Sequence, residues 1–153
     1  LASDAPARET KGGTVHIADS TNFTVSTTVA AALLTIRPGG MREMHWHPNA
    51  DEWQYYVKGT AQMTVFNTGP RAVTNNFAPG DIGYIKRSNG HYIKNTGDTD
   101  LVFLEVFNSH AYEAISLSYW LTHVPPALVA ATFNLSPEDI AKFPKGDMKI
   151  MPV

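Results

Sequence analysis

Three imidazoles and one carboxylate, His45, His47, Glu52 and His91, stand at spacings that could gather them around one ion. Mixed nitrogen and oxygen donors suit a divalent transition metal, and this set alone does not separate manganese from iron, nickel or zinc. The residues fall in two runs, Gly39-x5-His45-x-His47-x4-Glu52-x6-Gly59 and Gly80-x10-His91-x3-Asn95. On a strand, His45 and His47 point to one face and Trp46 to the other, because successive side chains alternate. The turn-rich Pro48-Asn49-Ala50-Asp51 is expected to reverse the chain and return Glu52 on the neighbouring strand. His91 must then arrive from a distant strand, which calls for a closed or sandwiched antiparallel sheet. Asp51 is a rival ligand. Glu52 is preferred because it shares a strand face with Gln54 and Tyr56, whereas Asp51 lies in the turn. A lone histidine is ordinarily a core or surface residue; it is the His-x-His pair, the following Glu, the flanking glycines and the late His together that carry the signal.

The elements that must position these groups are short. Residues 1–13 are small and polar, punctuated by Pro and Gly, and read as an extended N-terminal arm. Residues 14–108 read as a β-barrel domain. Its β-rich runs are Thr14–Ala18, Thr27–Ile36, Arg42–His47, Glu52–Lys58, Thr60–Phe66, Ala72–Phe77, Ile82–Ile85, His91–Asn95 and Leu101–Phe107, broken by Gly, Pro and Asp turns. Many short strands without intervening helices argue for an all-β sandwich or barrel, of which a jelly roll is one form. Residues 109–153 read as a lid and helical tail. Ile115–Thr122 and Ala127–Phe133 have helical spacing, and Ser136-Pro137-Glu138-Asp139 is a helix start with Ser as N-cap.

Composition narrows the function. Twelve basic and fourteen acidic residues give a net charge of −2, too balanced for nucleic acid or an anionic membrane surface. The longest apolar runs, near Val29–Leu34 and Leu101–Phe107, are too short to span a bilayer as helices. The absence of Cys excludes disulfides and thiolate ligands. Leu1 in place of Met reads as a processed product or a fragment. The acceptor triplets Asn22-Phe23-Thr24 and Asn134-Leu135-Ser136 lean toward secretion.

The two runs resemble the two motifs of the cupin superfamily, whose double-stranded β-helix, a jelly-roll barrel, holds a metal with three His and one Glu. The second run departs from the pattern at Lys86 and Ser88, where the family has proline and glycine. The likeness is closer to the C-terminal cupin of the bicupin oxalate decarboxylases. It is carried by Ile17–Phe23, Met41–His47, Glu52–Tyr56 and Leu101–Phe107, and by Ser116–Pro125 in the tail. The resemblance implies a short C-terminal helical tail on the barrel, Mn(II), oxalate as substrate and a requirement for dioxygen. It also implies a homo-oligomer or association with an N-terminal cupin half. Oxalate decarboxylation to formate and carbon dioxide is the first expectation. Oxalate oxidase, giving carbon dioxide and hydrogen peroxide, and a non-catalytic structural metal-binding half-domain are the alternatives.

Three further residues are candidates for the chemistry. Arg42 can bind a carboxylate bidentately and stays charged, or it can pair at the surface with Glu43 or a neighbouring acid. Strict alternation sets it opposite His45, so a place in the pocket requires a bulge just after Gly39-Gly40. Glu105 is a lone charge in an otherwise apolar strand, a candidate acid/base whose pKa burial would raise, or a buried partner of Arg42. Tyr112 follows that strand where the family has a lid, and its hydroxyl could donate to substrate or simply pack. The family's N-terminal lid carries a Ser-Glu-Asn-Ser/Thr stretch that this chain lacks; Glu113 is its lid carboxylate. Trp46, Trp53, Tyr55, Tyr56 and Phe66 are expected to serve as core and intersheet packing, and Trp120 with Leu117 and Leu121 as the apolar face of a tail helix.

Overall fold

A computed structural model describes residues 8–69, 71–146 and 149–153. The strands are β1 (Arg8–Thr10), β2 (Gly13–Ala18), β3 (Ala30–Ile36), β4 (Gly40–Trp46), β5 (Glu52–Lys58), β6 (Ala61–Asn67), β7 (Arg71–Phe77), β8 (Ile82–Ile85), β9 (His91–Asn95), β10 (Leu101–Phe107), β11 (Ile115–Ser116) and β12 (Ile150–Pro152). Three short helices, α1 (Leu117–Thr122), α2 (Pro126–Phe133) and α3 (Pro137–Ala141), lie between β11 and β12. One sheet runs β1-β2-β3-β10-β5-β8; the other runs β11-β4-β9-β6-β7, with β12 also pairing β4. Every pairing among the described residues is antiparallel. The fold is all-β with a helical tail.

Period-two alternation sets the interior. Ala30, Ala32, Leu34 and Ile36 of β3 are buried, as are Leu101, Phe103 and Phe107 of β10. Tyr56 stacks between Phe77 and Phe103, with ring centroids 4.5 and 5.4 Å away. The site residues occupy inward positions of the same alternation: Glu52 and Gln54 on β5, His91 on β9 and Glu105 on β10 are all buried. The tight turn after β5, which leads from one sheet to the other, requires Gly59. Its φ is +81°, and a Cβ there would lie 2.7 Å from the Asp100 carbonyl oxygen.

Several expectations need correction. Residues 8–10 of the expected arm form a strand against β2, while the first seven lie outside the described residues. Ile115 and Ser116 pair with β4 instead of opening the helix, which starts at Leu117. Ser136 caps α3 as read from the sequence, in a reciprocal capping box with Asp139. Of the aromatic cluster, Tyr56 alone is in the core; Trp53, Tyr55 and Phe66 are half exposed on outer sheet faces. Their alternation with Glu52, Gln54 and Tyr56 explains this, because the inner face of β5 is already taken by the polar residues. Trp120 is also half exposed, with its ring edge-on to Trp46 at 5.9 Å.

Candidate metal centre

β4, β5 and β9 supply three of the donors, and His47 follows directly after the end of β4. His45 on β4 is the direct register partner of His91 on β9, so the late histidine comes from the adjacent strand. Glu52 is the residue that crosses: β4 and β5 lie in different sheets, and the turn between them leads from one sheet to the other. The expectation that Glu52 returns beside β4 is therefore wrong, because the turn bridges two layers and does not close a hairpin. Asp51 stays outside. Its carboxylate accepts the Arg87 N–H at 2.8 Å and the Tyr84 hydroxyl at 3.1 Å.

One donor atom from each of His45, His47, Glu52 and His91 lies within 4.8 Å of the others, and all four residues are buried. Each histidine spends its Nδ1 on a backbone carbonyl: His45 on Glu43 at 2.7 Å, His47 on Glu113 at 2.5 Å and His91 on Asn89 at 3.0 Å. A carbonyl accepts only, so Nδ1 carries the proton and each Nε2 presents a lone pair. Those three Nε2 atoms and Glu52 Oε2 are buried without a hydrogen-bond partner among the described residues. His47 and His91 Nε2 stand 3.2 and 3.0 Å from Glu52 Oε2. Four lone pairs facing one another in a buried space repel unless a cation or proton joins them, so the residues fit a divalent metal.

The electrostatics agree. Burial, followed by the Arg42 charge, holds His45 well below the ordinary imidazole range, and burial lowers His47 against the pull of Glu52. Burial works to raise Glu52, but in the metal-free site a proton shared with His91 and His47 outweighs it and holds the carboxylate well below its usual range. Glu52 is also oriented from behind. Gln54 Nε2 donates to its Oε1 at 2.6 Å, and the Tyr56 hydroxyl donates to Gln54 Oε1 at 2.6 Å. This relay was missed as a functional feature in the sequence, although the shared face of Glu52, Gln54 and Tyr56 was its signal. A side chain at Gly83 would meet Gln54 Oε1 at 2.9 Å, so that glycine leaves room for the relay.

The cupin family model matches residues 1–141. The chain belongs to the cupin family. Among its relatives, the oxalate decarboxylase OxdC of Bacillus subtilis is 53% identical over 127 residues, covering 83% of this chain and 33% of the relative. An oxalate decarboxylase of Arthroderma benhamiae is 40% identical over 151 residues, covering 97% and 36%. A solved structure of the Bacillus subtilis enzyme, described for its Mn(II) centres, aligns with TM-score 0.95 at 45% identity over 98% of this chain and 40% of that one. The chain spans about a third of the curated relatives that it matches.

Around the donors, the cupin barrel gathers the other candidates. Arg42 is fully buried, and the β4–β9 register shifts between Arg42 and His45, so the required bulge lies there and not beside Gly40. Arg42 Nη1 donates to the Lys149 carbonyl at 3.1 Å and Nη2 to the Tyr112 hydroxyl at 3.3 Å; its Nε has no partner among the described residues. The surface pairing with Glu43 is overturned: at the bulge Glu43 instead accepts from the Ser118 hydroxyl at 2.6 Å. Glu105 is fully buried, and among the described residues neither carboxyl oxygen has a hydrogen-bond partner. Burial, and then the Glu52 charge, push it well above the usual carboxylate range, against Arg42 and Lys149. Tyr112 packs its ring 5.4 Å from His47 and 5.1 Å from Phe107, and burial raises its pKa. Ser88, in the motif's glycine position, adopts a left-handed φ of 67° and donates its N–H to the His47 carbonyl at 2.9 Å.

Proposed function

We propose that this cupin is the C-terminal, Mn(II)-binding half of an oxalate decarboxylase, which converts oxalate to formate and carbon dioxide. The observation that carries the reading is the convergence of four buried, unpartnered donor atoms from His45, His47, Glu52 and His91. These four would hold the ion, which would in turn attract a small dicarboxylate. When bound, a redox-active divalent metal supplies Lewis acidity and the one-electron chemistry that carbon–carbon cleavage needs. Manganese is favoured by the Mn(II) centres of the solved relative. Dioxygen as a co-requirement belongs to the same proposal.

The chain's own residues have separable roles in it. Arg42 stays charged and faces the substrate carboxylate, with Tyr112 donating a hydrogen bond. Glu105, held protonated by burial and by Glu52, gives its proton to the carbon that becomes formate as carbon dioxide leaves. No oxidant is consumed overall: oxalate and one proton yield formate and carbon dioxide. The Mn-loaded chain should release formate from oxalate with almost no peroxide. Stoichiometric peroxide would select oxalate oxidase.

A second reading is a half-domain that holds metal without turnover. The lid favours it, because Glu113 is exposed and its backbone carbonyl is committed to His47. Manganese bound with oxalate untouched would select it. Association with a second cupin half or another copy is supported by the exposed outer face bearing Trp53, Tyr55, Val57, Ile82 and Tyr84.

A further inference from the structure

Glu43 is a buried carboxyl group that the chemistry above leaves without a task. It is 4% exposed, and its Oε2 accepts from the Ser118 hydroxyl at 2.6 Å. Its Oε1 is buried without a partner among the described residues. Burying a carboxyl group with so few hydrogen bonds is costly, and an apolar side chain would fill the place at lower cost. The cost points to a role that needs an acceptor here.

That role follows from where Glu43 stands. Along one edge of β4, β12 pairs with Gly40, Met41 and Arg42, and β11 with His45 and Trp46. Along the other edge, β9 takes Met41, Arg42 and His45, with the register shift between the last two. Among the described residues, then, no strand pairing covers Glu43 and Met44 on either edge, and a bulge of this kind leaves its peptides without the regular ladder. The Glu43 peptide nevertheless has to keep one orientation. Its N–H donates to the Lys149 carbonyl at 3.1 Å, and its own carbonyl accepts from His45 Nδ1 at 2.7 Å. The second contact sets the tautomer and ring plane of a metal donor. Ser118 belongs to α1, which follows β11 directly, so the Glu43 side chain joins the bulge to an element already fixed against β4.

We propose that Glu43 is a positioning residue for the metal centre: its hydrogen bond to Ser118 ties the bulge of β4 to α1 and thereby aims the Glu43 carbonyl at His45. The inference rests on the metal-binding reading above and deepens it, because it gives the helical tail a part in holding the ion.

Titration of Mn(II) into the full chain, together with the EPR spectrum of the bound ion, tests this in S118A, E43L and E43Q. S118A and E43L should each weaken Mn(II) by about 10–100-fold and alter its EPR fine structure, because His45 loses its aim. The double variant S118A/E43L should be no weaker than E43L, since both changes break one bond. E43Q keeps an acceptor for the Ser118 hydroxyl, so it should stay within about threefold of the parent and keep the parent's spectrum. Parent-like affinity and spectrum in S118A overturn the proposal, whether or not E43L folds. Losses that add in the double variant overturn it too, as does an E43Q as weak as E43L, which would assign the effect to charge. A merely structural tie would lower the melting temperature of the metal-free chain and leave both Mn(II) readouts at their parent values, and that result also overturns it. A folded parent that takes up no Mn(II) overturns the metal-binding reading itself, and this inference with it.

Discussion

His45 and His91 face each other as register partners across β4 and β9, with ring centroids 4.1 Å apart, and each fixes its own tautomer through a backbone carbonyl. Two adjacent strands thereby present two Nε2 lone pairs without any contribution from loops. Because the donors are formed by the folded sheet, metal binding should add to folding stability. With free Mn(II) at a hundred times its Kd, the parent should gain about 2.7 kcal/mol. H91A and H45A should lose that gain, and thermal unfolding with and without Mn(II) is the check. An undiminished shift in both variants would remove these residues from the ligand set.

Glu105 yields a pH prediction. Its pKa in the folded chain is raised above the reference 4.5, so the folded state binds more protons than the unfolded state above that pH. Its contribution to stability is fully present below about 4.5 and is lost as pH rises through the folded value. In the metal-free chain, E105Q should therefore gain stability relative to the parent between about pH 4.5 and 8. Denaturation midpoints of both proteins across this range would show it; a gap that narrows with rising pH would refute the assignment.

The same variant separates proton transfer from metal binding. E105Q removes the acidic proton and keeps the side chain's shape, so Mn(II) content should be unchanged. Oxalate turnover by the loaded chain should fall by about 10²–10⁴-fold. Full turnover would exclude Glu105 from the chemistry.

Gln54 and Tyr56 act on Glu52 from behind. Q54L breaks both 2.6 Å hydrogen bonds of the relay and should weaken Mn(II) binding by about 10–100-fold while leaving all four donors in place. Y56F should cost about 1 kcal/mol of stability and less metal affinity than Q54L. Metal titrations that rank the two variants in the opposite order would show that Glu52 is oriented in another way.

Ser88 stores local strain. A left-handed φ of 67° costs a residue bearing a Cβ about 1–2 kcal/mol relative to glycine. S88G, which places the motif's glycine here, should raise the melting temperature by about 2–8 °C. An unchanged or lower melting temperature would mean that the Ser88 side chain repays the strain.

The donor set was legible because period-two alternation places His45, His47, Glu52 and Gln54 on inner faces wherever the strands pair. The exact strand ends of β5, β8, β9 and β10 follow from the same pattern. What alternation cannot show is which sheet a strand joins. Glu52 was placed beside β4 because a four-residue turn looks the same whether it closes a hairpin or bridges two layers. The position of the Arg42 bulge was hidden for a related reason, since a register shift is a property of the pair β4–β9 and not of either strand. Lys149 gave no signal at all: it lies after the helical tail and reaches the site only because β12 returns to pair with β4. The outward aromatics Trp53 and Tyr55 were read as core from their size, although their own alternation with Glu52 and Gln54 excluded that.

Elemental analysis of the chain purified after growth with manganese, with the fold verified by circular dichroism, tests the central claim most directly. The account predicts close to one equivalent of manganese per parent chain and almost none in a folded H45A/H91A double variant. A folded parent that retains no divalent metal, or a double variant that retains as much as the parent, would contradict it.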